Sequence, residues 1–329
     1  MWRGAVRKAG RMSRRALRAF FVAGPAALVV LLTACGGSTD PATSPAAHPH
    51  PTTNSTITSA HSKPPKTSKT KPPAKPKVWP AKRVDAAIRA AKNKAPNVAV
   101  SVAAVNTATG KSYSFGKKSD MWTASVYKLY LLEVLLRQHQ QAGSSLSSYE
   151  QDSATRAIEN SDNVAGYQLF EDIGGNPAMV SGFAALGLHH TVPGVTDPTF
   201  TRSSALDAIR LLKNLVSKRG PLDSASQNYA IGLMQQVEAD QRWGVGVVAD
   251  KGDDFANKNG WLSVTDGNGP DEDDGGLWAV NSVGIVKVHG TRVLMAVFTK
   301  HNGDFFSGKH LVQLLARAAV KAVVPQPAG

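Results

Sequence analysis

Apolar and polar positions divide the chain into two unlike parts that meet at about residue 82. After that point the pattern becomes regular. The alanine-rich stretch from Arg83 to Lys94 predicts a helix, and the apolar run from Val98 to Val105 predicts a strand. A turn at Thr109-Gly110 and a second strand from Ser112 to Phe115 complete a predicted hairpin.

The middle of the second part, residues 119 to 249, carries mainly helical patterns. Strand signals return in three segments near the C-terminus, 257–264, 278–288 and 292–299, of which the last two are joined by a turn at His289-Gly290. A final helix is predicted over about 304–323. Strands at both ends of a helical middle predict an α+β fold. We expect a five-stranded antiparallel sheet flanked by N- and C-terminal helices, in which 83–118 and 250–329 form the α/β part and 119–249 an all-helical inserted subdomain.

The first 35 residues have the pattern of a secretion signal. A basic segment precedes an apolar stretch of about fifteen residues, and Leu-Thr-Ala then leads into Cys35, the only cysteine of the chain. That stretch is short for a spanning helix, which needs roughly twenty residues. The setting of Cys35 resembles a bacterial lipobox, which implies a lipidated cysteine; a buried structural thiol is the alternative. Ser13-Arg14-Arg15 leaves both Sec and twin-arginine export open.

Residues 36 to 82 are predicted to be a disordered tether, because Pro, Ser, Thr, Ala and Lys dominate and large apolar side chains are scarce. The formal net charge of +14 is concentrated there: residues 1 to 82 carry +13 and residues 83 to 329 only +1. A nearly neutral folded part excludes the basic stripe of a nucleic-acid-binding domain. The lysines of the tether suit anionic lipid or wall polymer, or serve solubility alone.

Candidate chemistry comes from three motifs that follow one another in the second part: Ser125-Val126-Tyr127-Lys128, Ser161-Asp162-Asn163 and Lys258-Asn259-Gly260. Ser-x-x-Lys also occurs at Ser68 and Ser114, but only Ser125 opens a long apolar run that predicts a buried helix. Spacing i, i+3 puts Ser125 and Lys128 on one face of that helix.

A serine hydroxyl becomes a good nucleophile when a neighbouring base takes its proton, and a buried lysine serves as that base when its charged form is disfavoured. The helix N-terminus adds N–H donors for the oxyanion that forms. The competing interpretation is that Ser125 caps the helix while Lys128 reaches solvent. The other two motifs outweigh it.

In order and spacing these motifs resemble those of the penicillin-recognising serine enzymes, namely class A β-lactamases and their D,D-peptidase relatives. The resemblance covers roughly residues 83 to 323 and includes the stretch from Asp240 to Gly246. It implies the β-lactamase/transpeptidase-like fold, with the site in the cleft between the helical part and the edge strand of the sheet.

The resemblance also implies roles. Ser125 is expected to be acylated, Lys128 to act as base, and Ser161 to relay a proton towards the leaving amine. Asn163 is expected to bind the substrate amide, and Lys258 to attract its carboxylate. The N–H groups of Ser125 and Trp261, the residue after Gly260, would form the oxyanion hole.

Two departures from the family pattern stand out. Asn259 replaces the usual threonine or serine, so an amide N–H takes the place of the hydroxyl that meets the substrate carboxylate. No glutamate occurs between Asp172 and Gln236, where class A β-lactamases carry the one that activates the deacylating water. Asp197 is the only carboxylate in the corresponding loop, 191–202, and is the candidate base, although Asp-Pro is also typical of an ordinary turn.

We therefore expect a class A β-lactamase-like serine hydrolase that acts on β-lactams through an acyl-enzyme. A D,D-peptidase acting on D-Ala-D-Ala-type stem peptides and a non-catalytic, wall-facing binding lipoprotein are the alternatives. The protein is expected to be monomeric, exported and lipid-anchored to the outer face of the cytoplasmic membrane. No cofactor or metal is implied, since the acidic loop 266–275 lacks EF-hand spacing and no histidine cluster stands out.

Overall fold

One antiparallel sheet runs through the folded part of the chain. The computed structural model describes residues 77–195, 197–264 and 277–326. These lie within one compact unit, Lys69–Gly329; a second unit, Met1–Ser68, falls outside the described residues, as do Cys35 and the acidic loop. The sheet has the order β2-β1-β7-β6-β5 and consists of β1 (Ala99–Asn106), β2 (Ser112–Gly116), β5 (Ala256–Ser263), β6 (Trp278–Val288) and β7 (Thr291–Asn302).

Helices cover both faces of the sheet. The first and last, α1 (Ala81–Lys92) and α8 (Phe305–Ala319), share an apolar core with one face. The other face packs against helices from the middle of the chain: α2 (Tyr127–Ala142), α3 (Ser148–Thr155), α4 (Asn163–Asp172), α5 (Gly175–Ala185), α6 (Ala205–Asn214) and α7 (Ser224–Gln235). The predicted α+β architecture is thereby confirmed. Among the described helices, none is long and apolar enough to cross a membrane.

Alternation along the central strands explains how one sheet serves two cores. On β1, Val102 and Ala104 pack towards α1 and α8, whereas Ala103 and Val105 pack towards the middle helices. All four are buried. Both faces are therefore covered, and β5, which pairs only with β6, remains as the edge strand beside the middle helices.

The predicted turn His289-Gly290 joins β6 to β7, and both residues have positive φ, 48° and 73°. Such a pair is the usual two-residue hairpin connection. The carboxylate of Asp250 accepts hydrogen bonds from both backbone N–H groups, at 2.7 and 2.8 Å. This contact ties the turn to the segment that leads into β5.

The structure departs from the sequence predictions at two places. Residues 77–82, predicted to belong to the tether, take part in the fold: Lys77 bridges Gln326, Trp79 packs beside Arg83 and Lys321, and α1 begins at Ala81. A second, two-stranded sheet also lies within the otherwise helical part, formed by β3 (Met121–Trp122) and β4 (Arg202–Ser203). It joins the segment before α2 to the end of the loop that carries Asp197.

Candidate active site

The predicted nucleophile lies in a single 3-10 turn, Ala124–Val126, that leads directly into α2. No side chain caps this turn or the helix, so Ser125 does not have the capping role that competes with catalysis. Ala124 has a φ of 45°, in the left-handed region that costs roughly 1–2 kcal/mol for a residue with a Cβ. The backbone is thus strained immediately before Ser125.

Lys128 lies beneath this turn and is completely buried. Its Nζ is 3.1 Å from the Ser125 Oγ, and it donates to the carbonyl oxygen of Ser161 at 2.6 Å and to Oδ1 of Asn163 at 2.9 Å. Burial lowers the pKa of Lys128 to about 8, against the opposing effect of the Asp162 carboxylate. The ammonium donates to all three oxygens, whereas the free base donates to the two acceptors and directs its lone pair at the Ser125 hydroxyl.

Ser161 lies between the two lysines of the motifs. It follows a π-helical turn, Arg156–Asn160, and has a φ of 58°. The Nζ of Lys258 donates to its Oγ at 2.7 Å. Lys258 is fully buried, and burial together with the charge of Lys128 holds its pKa well below the ordinary value. Lys258 thus contacts Ser161 from behind, and the positive charge expected to attract a carboxylate is disfavoured.

Gly260 brings the edge strand against the nucleophile turn. A Cβ at this position would lie 2.6 Å from the carbonyl oxygen of Thr123 and 2.8 Å from the nitrogens of Ser125 and Val126. All three are backbone atoms, so only glycine permits this approach. The contact places the backbone of β5 beside the N–H of Ser125, where the oxyanion hole is expected.

Asn259 faces the opposite side of β5 from Lys258 and Gly260. Its side chain is buried, and its Nδ2 donates to the backbone carbonyl of Gln241 at 2.6 Å and to that of Trp243 at 3.5 Å. The amide N–H expected to meet a substrate carboxylate is therefore used inside the protein, where it fixes the segment 241–243 to the edge strand.

Asp197 caps a short 3-10 turn, Pro198–Phe200, in the middle of the predicted loop. Its Oδ1 accepts a hydrogen bond from the backbone N–H of Thr199 at 2.7 Å. Burial and the neighbouring Asp197 carboxylate raise the pKa of Tyr167 to about 12, so this carboxylate lies next to the Tyr167 hydroxyl. The loop contributes Thr199 to the lining of the cleft around Ser125, and Asp197 is not among the lining residues.

The cleft has a volume of about 290 Å³ and brings together several of the predicted residues: Ser125, Ser161, Asn163 and Trp261. Lys128 and Lys258 lie behind it, in contact with its two serines. The sequence prediction did not name the other residues of the lining, which are Ala124, Asn160, Thr199, Glu238, Asp240, Gln241 and Leu262. Asp240 and Gln241 belong to the stretch 240–246, which already resembled the family in sequence. That resemblance was the sequence signal that could have indicated these two residues.

Two supporting contacts also lay beyond sequence reasoning. Asn281 on β6 donates through Nδ2 to the carbonyls of Trp122, at 2.7 Å, and Thr123, at 3.1 Å, and so holds the segment before Ser125. Asp207 on α6 accepts hydrogen bonds from the backbone N–H of His190 and the hydroxyl of Thr191, at 2.7 and 2.8 Å, and so anchors the start of the loop. In the described part of the chain, no group of three or more potential metal ligands comes together.

Comparison with known proteins agrees with this geometry. The model of a family described as the β-lactamase enzyme family matches residues 149–323. The chain belongs to this family. Together with the fold, this places the protein in the superfamily of penicillin-recognising serine enzymes.

Solved structures of this superfamily share the fold at low sequence identity. The TLA-1 extended-spectrum β-lactamase is 15% identical, with a TM-score of 0.61, and the match covers 74% of this chain and 100% of that one. A β-lactamase from Chitinophaga pinensis is 17% identical, with a TM-score of 0.60 over 72% and 96% of the two chains. PBP-A is 19% identical, with a TM-score of 0.61 over 77% and 98%.

A curated relative also matches in sequence. A Mycobacterium tuberculosis protein named as a lipoprotein, LppW, is 31% identical over 173 residues, and an identical match occurs in Mycobacterium bovis. The match covers 50% of this chain and 54% of LppW. The chain therefore spans about half the length of the curated relatives it matches.

Proposed function

We propose that this protein is a serine hydrolase of the class A β-lactamase type, in which a β-lactam amide acylates Ser125. The observation that carries the proposal is the setting of Lys128. This amine is buried, has a lowered pKa, lies 3.1 Å from the Ser125 Oγ, and has acceptors for its two N–H groups. Those conditions favour a general base over a solvated cation.

Acylation begins when Lys128 takes the proton of Ser125 and the Oγ attacks the amide carbonyl. The N–H groups of Ser125 and Trp261 receive the developing oxyanion. The amide C–N bond then breaks, and Ser161 passes a proton to the departing nitrogen. The Lys128 ammonium, whose Nζ is 3.5 Å from the Ser161 Oγ, returns the Ser125 proton to Ser161, so that the net transfer is from Ser125 to the departing nitrogen. Lys258, which donates to the Ser161 Oγ at 2.7 Å, holds the hydroxyl in line.

Asn163 fits its proposed role in substrate binding. Its Oδ1 accepts from Lys128, so the side-chain orientation is fixed and its Nδ2 is left to donate to a substrate carbonyl. The same residue thereby links the position of the base to the position of the substrate. Gly260 acts through the backbone and brings β5 close to Ser125.

Deacylation is the step we expect to be slow. Asp197 is the only carboxylate of the loop 191–202, and we propose it as the base that activates water. Its carboxylate lies at the Thr199 N–H and beside Tyr167, outside the lining of the cleft. This setting also favours a second candidate function, a D,D-peptidase that forms a long-lived adduct with β-lactams and acts on stem peptides.

The cellular setting follows from the N-terminal sequence. We propose export and lipidation at Cys35, with residues 36–76 as the tether and a monomeric catalytic domain at the outer face of the membrane. The relative named as a lipoprotein supports this. Metabolic labelling with a radioactive fatty acid tests the anchor: label is expected in the wild-type chain and none in Cys35→Ala.

Intact-protein mass spectrometry of the full chain with benzylpenicillin, followed over time beside ligand hydrolysis, tests the activity. A transient adduct with ligand loss, both absent in Ser125→Ala, supports the β-lactamase. A persistent adduct on Ser125 supports the D,D-peptidase. No adduct and no hydrolysis in the wild type, with equal ligand retention by Ser125→Ala, supports the non-catalytic binding lipoprotein instead.

A further inference from the structure

A row of buried hydroxyl groups joins the helix that follows the nucleophile to the loop that carries Asp197. The Tyr130 hydroxyl on α2 lies 3.0 Å from the Ser203 Oγ, which lies 2.8 Å from the Thr191 Oγ1. Thr191 in turn donates to Oδ2 of Asp207 on α6 at 2.8 Å. None of these four side chains is more than 9% exposed. They form a continuous connection, the hydroxyl chain, from α2 to α6.

The donors along the hydroxyl chain have a fixed order. Asp207 forms an ion pair with Arg210, and a carboxylate only accepts, so the single proton of the Thr191 hydroxyl points to Asp207. The Thr191 Oγ1 then accepts from Ser203, and the Ser203 Oγ accepts from Tyr130. Every hydroxyl proton is used once. Removal of one member leaves a buried donor or acceptor without its partner, which is costly.

The hydroxyl chain crosses the neck of the loop 191–202, because Thr191 is the first residue of the loop and Ser203 follows the last. At the same neck the backbones of Val192 and Arg202 exchange two N–H···O bonds, both of 2.8 Å. Side-chain and backbone bonds therefore close the loop at its base.

The closed loop contains Asp197 as its only carboxylate. Its end meets the segment before the nucleophile, because the Thr123 N–H donates to the Thr201 carbonyl at 2.8 Å. Tyr130 supplies a second connection, from the helix that begins two residues after Ser125. The base of the loop is thus fixed to the nucleophile segment by a backbone bond and by the hydroxyl chain. The position of the Asp197 carboxylate relative to Ser125 depends on both.

We propose that Tyr130, Ser203 and Thr191 are positioning residues for deacylation, which hold the loop where Asp197 reaches the water that attacks the acyl-enzyme. In that step Asp197 takes a proton from water and the water oxygen attacks the ester carbon. The bond to the Ser125 Oγ then breaks as the proton passes to that oxygen. The three hydroxyls do not line the cleft, so they act through geometry. A misplacement of about 1 Å costs roughly 10²-fold in rate.

This inference rests on the proposed function, in which Asp197 is the base, and the lifetime of the Ser125 adduct tests it. Acylation and deacylation by benzylpenicillin are measured separately for the full-length protein by quenched-flow mass spectrometry. We expect Ser203→Ala and Thr191→Val to lengthen the lifetime by about tenfold to 10²-fold, while acylation changes by less than about threefold. Thr191→Ser keeps the hydroxyl and should restore the wild-type lifetime.

Ser153→Ala is the matched control. This serine is also fully buried among the helices, and its hydroxyl donates to the Gln168 Oε1 at 3.3 Å, outside the hydroxyl chain. Its removal should leave the adduct lifetime unchanged. An equal lengthening in Ser153→Ala and Ser203→Ala would mean that any lost buried hydroxyl slows deacylation, which overturns the inference.

A cycle of Tyr130→Phe and Thr191→Val tests whether the hydroxyls act as a unit. Both groups bind the Ser203 Oγ, so the double variant should lengthen the lifetime by less than the product of the two single effects. Single effects that multiply would show independent contributions and reject the hydroxyl chain as one device.

An Asp197→Asn background tests whether the hydroxyl chain acts through this carboxylate. There Ser203→Ala should change the adduct lifetime by less than about twofold, because the group that it positions is already lost. The inference is overturned if Ser203→Ala lengthens the lifetime equally with and without Asp197, or leaves it at the wild-type value.

Hydrogen exchange separates this result from failure of the proposed function, because it needs no acylation. The amides of the loop 191–202 should exchange about tenfold faster in Ser203→Ala and at the wild-type rate in Ser153→Ala. Unchanged exchange in Ser203→Ala rejects the hydroxyl chain as the anchor of the loop. A wild-type protein that forms no adduct rejects the proposed function and with it the role in deacylation, whereas faster exchange in Ser203→Ala would still support the anchor.

Discussion

The lowered pKa of Lys128 predicts how acylation depends on pH. With a pKa of about 8, about one molecule in ten carries the free amine at pH 7, compared with about one in three thousand at the ordinary pKa of 10.5. Burial therefore increases the reactive fraction about 300-fold. The acylation rate constant should rise about tenfold per pH unit below pH 8 and level off above it.

Asp162 provides a directed perturbation of this profile. Its carboxylate raises the pKa of Lys128 against the larger effect of burial. Asp162→Asn removes the charge but keeps the helix cap, because the Oδ1 that accepts from the Ala165 N–H remains. Without the carboxylate the Lys128 ammonium is less stable, so the pKa of Lys128 falls. The pH profile of acylation therefore shifts to lower pH, and the acylation rate at pH 6 increases.

Asp152→Asn is the matched control. Both carboxylates bind Arg156, at 2.9 Å for Asp152 and 3.3 Å for Asp162, but only Asp162 is among the groups that shift the pKa of Lys128. Stopped-flow acylation with a chromogenic cephalosporin from pH 5.5 to 9.5 measures all three profiles. A flat wild-type profile, a midpoint near 10, or the same shift in both variants would refute the assignment of Lys128 as base.

Three further changes test separate parts of the structure. Gly260→Ala places a Cβ 2.6 Å from the Thr123 carbonyl oxygen, so the rate of acylation should fall by about 10²-fold or more. The control is Gly232→Ala on α7, where an added Cβ meets no atom within 4 Å. This substitution should instead stabilise the fold by roughly 0.5–1 kcal/mol. Asp197→Asn should slow deacylation by about 10² to 10⁴ with acylation unchanged, and an unchanged adduct lifetime would place the base elsewhere. Burial raises the pKa of Glu133 well above 4.5. The unfolded chain therefore loses this proton first, and the free energy of unfolding falls as pH rises above about 4.5. Urea titrations at pH 5 and 8 should show a smaller decrease in the free energy of unfolding for Glu133→Gln than for the wild type.

Local patterns predicted the parts of the fold that depend on neighbours in sequence. The strand at Val98, the hairpin turn at His289-Gly290 and the helix after Ser125 follow from periodicity and turn chemistry. Local patterns did not predict that residues 77–82 join the fold, because this depends on Trp79 packing against Lys321, near the other end of the chain. Long-range contacts of this kind leave no local period.

In the candidate site, too, local sequence patterns predicted some features and long-range contacts determined the others. Motif order predicted the residues that the structure brings together, and strand alternation alone would have placed Asn259 on the opposite face from Lys258. Such alternation was a usable signal for the orientation of the amide. The carboxylate of Glu238 gave none, because it lies in an irregular segment whose position depends on contacts with Glu159 and Asn160.

The two buried lysines explain why one proton suffices for the proposed acylation. Each is shielded from water, and the charge of Lys128 further lowers the pKa of Lys258, so two simultaneous cations are disfavoured. Both contact Ser161, Lys128 through the carbonyl and Lys258 through the hydroxyl. A proton taken from Ser125 by Lys128 makes the ammonium next to Ser161, and the lowered pKa of Lys258 reduces the positive charge that opposes this transfer. Replacing Lys258 by a permanent cation should therefore lower the pKa of Lys128 further, while it removes the amine that holds the Ser161 hydroxyl.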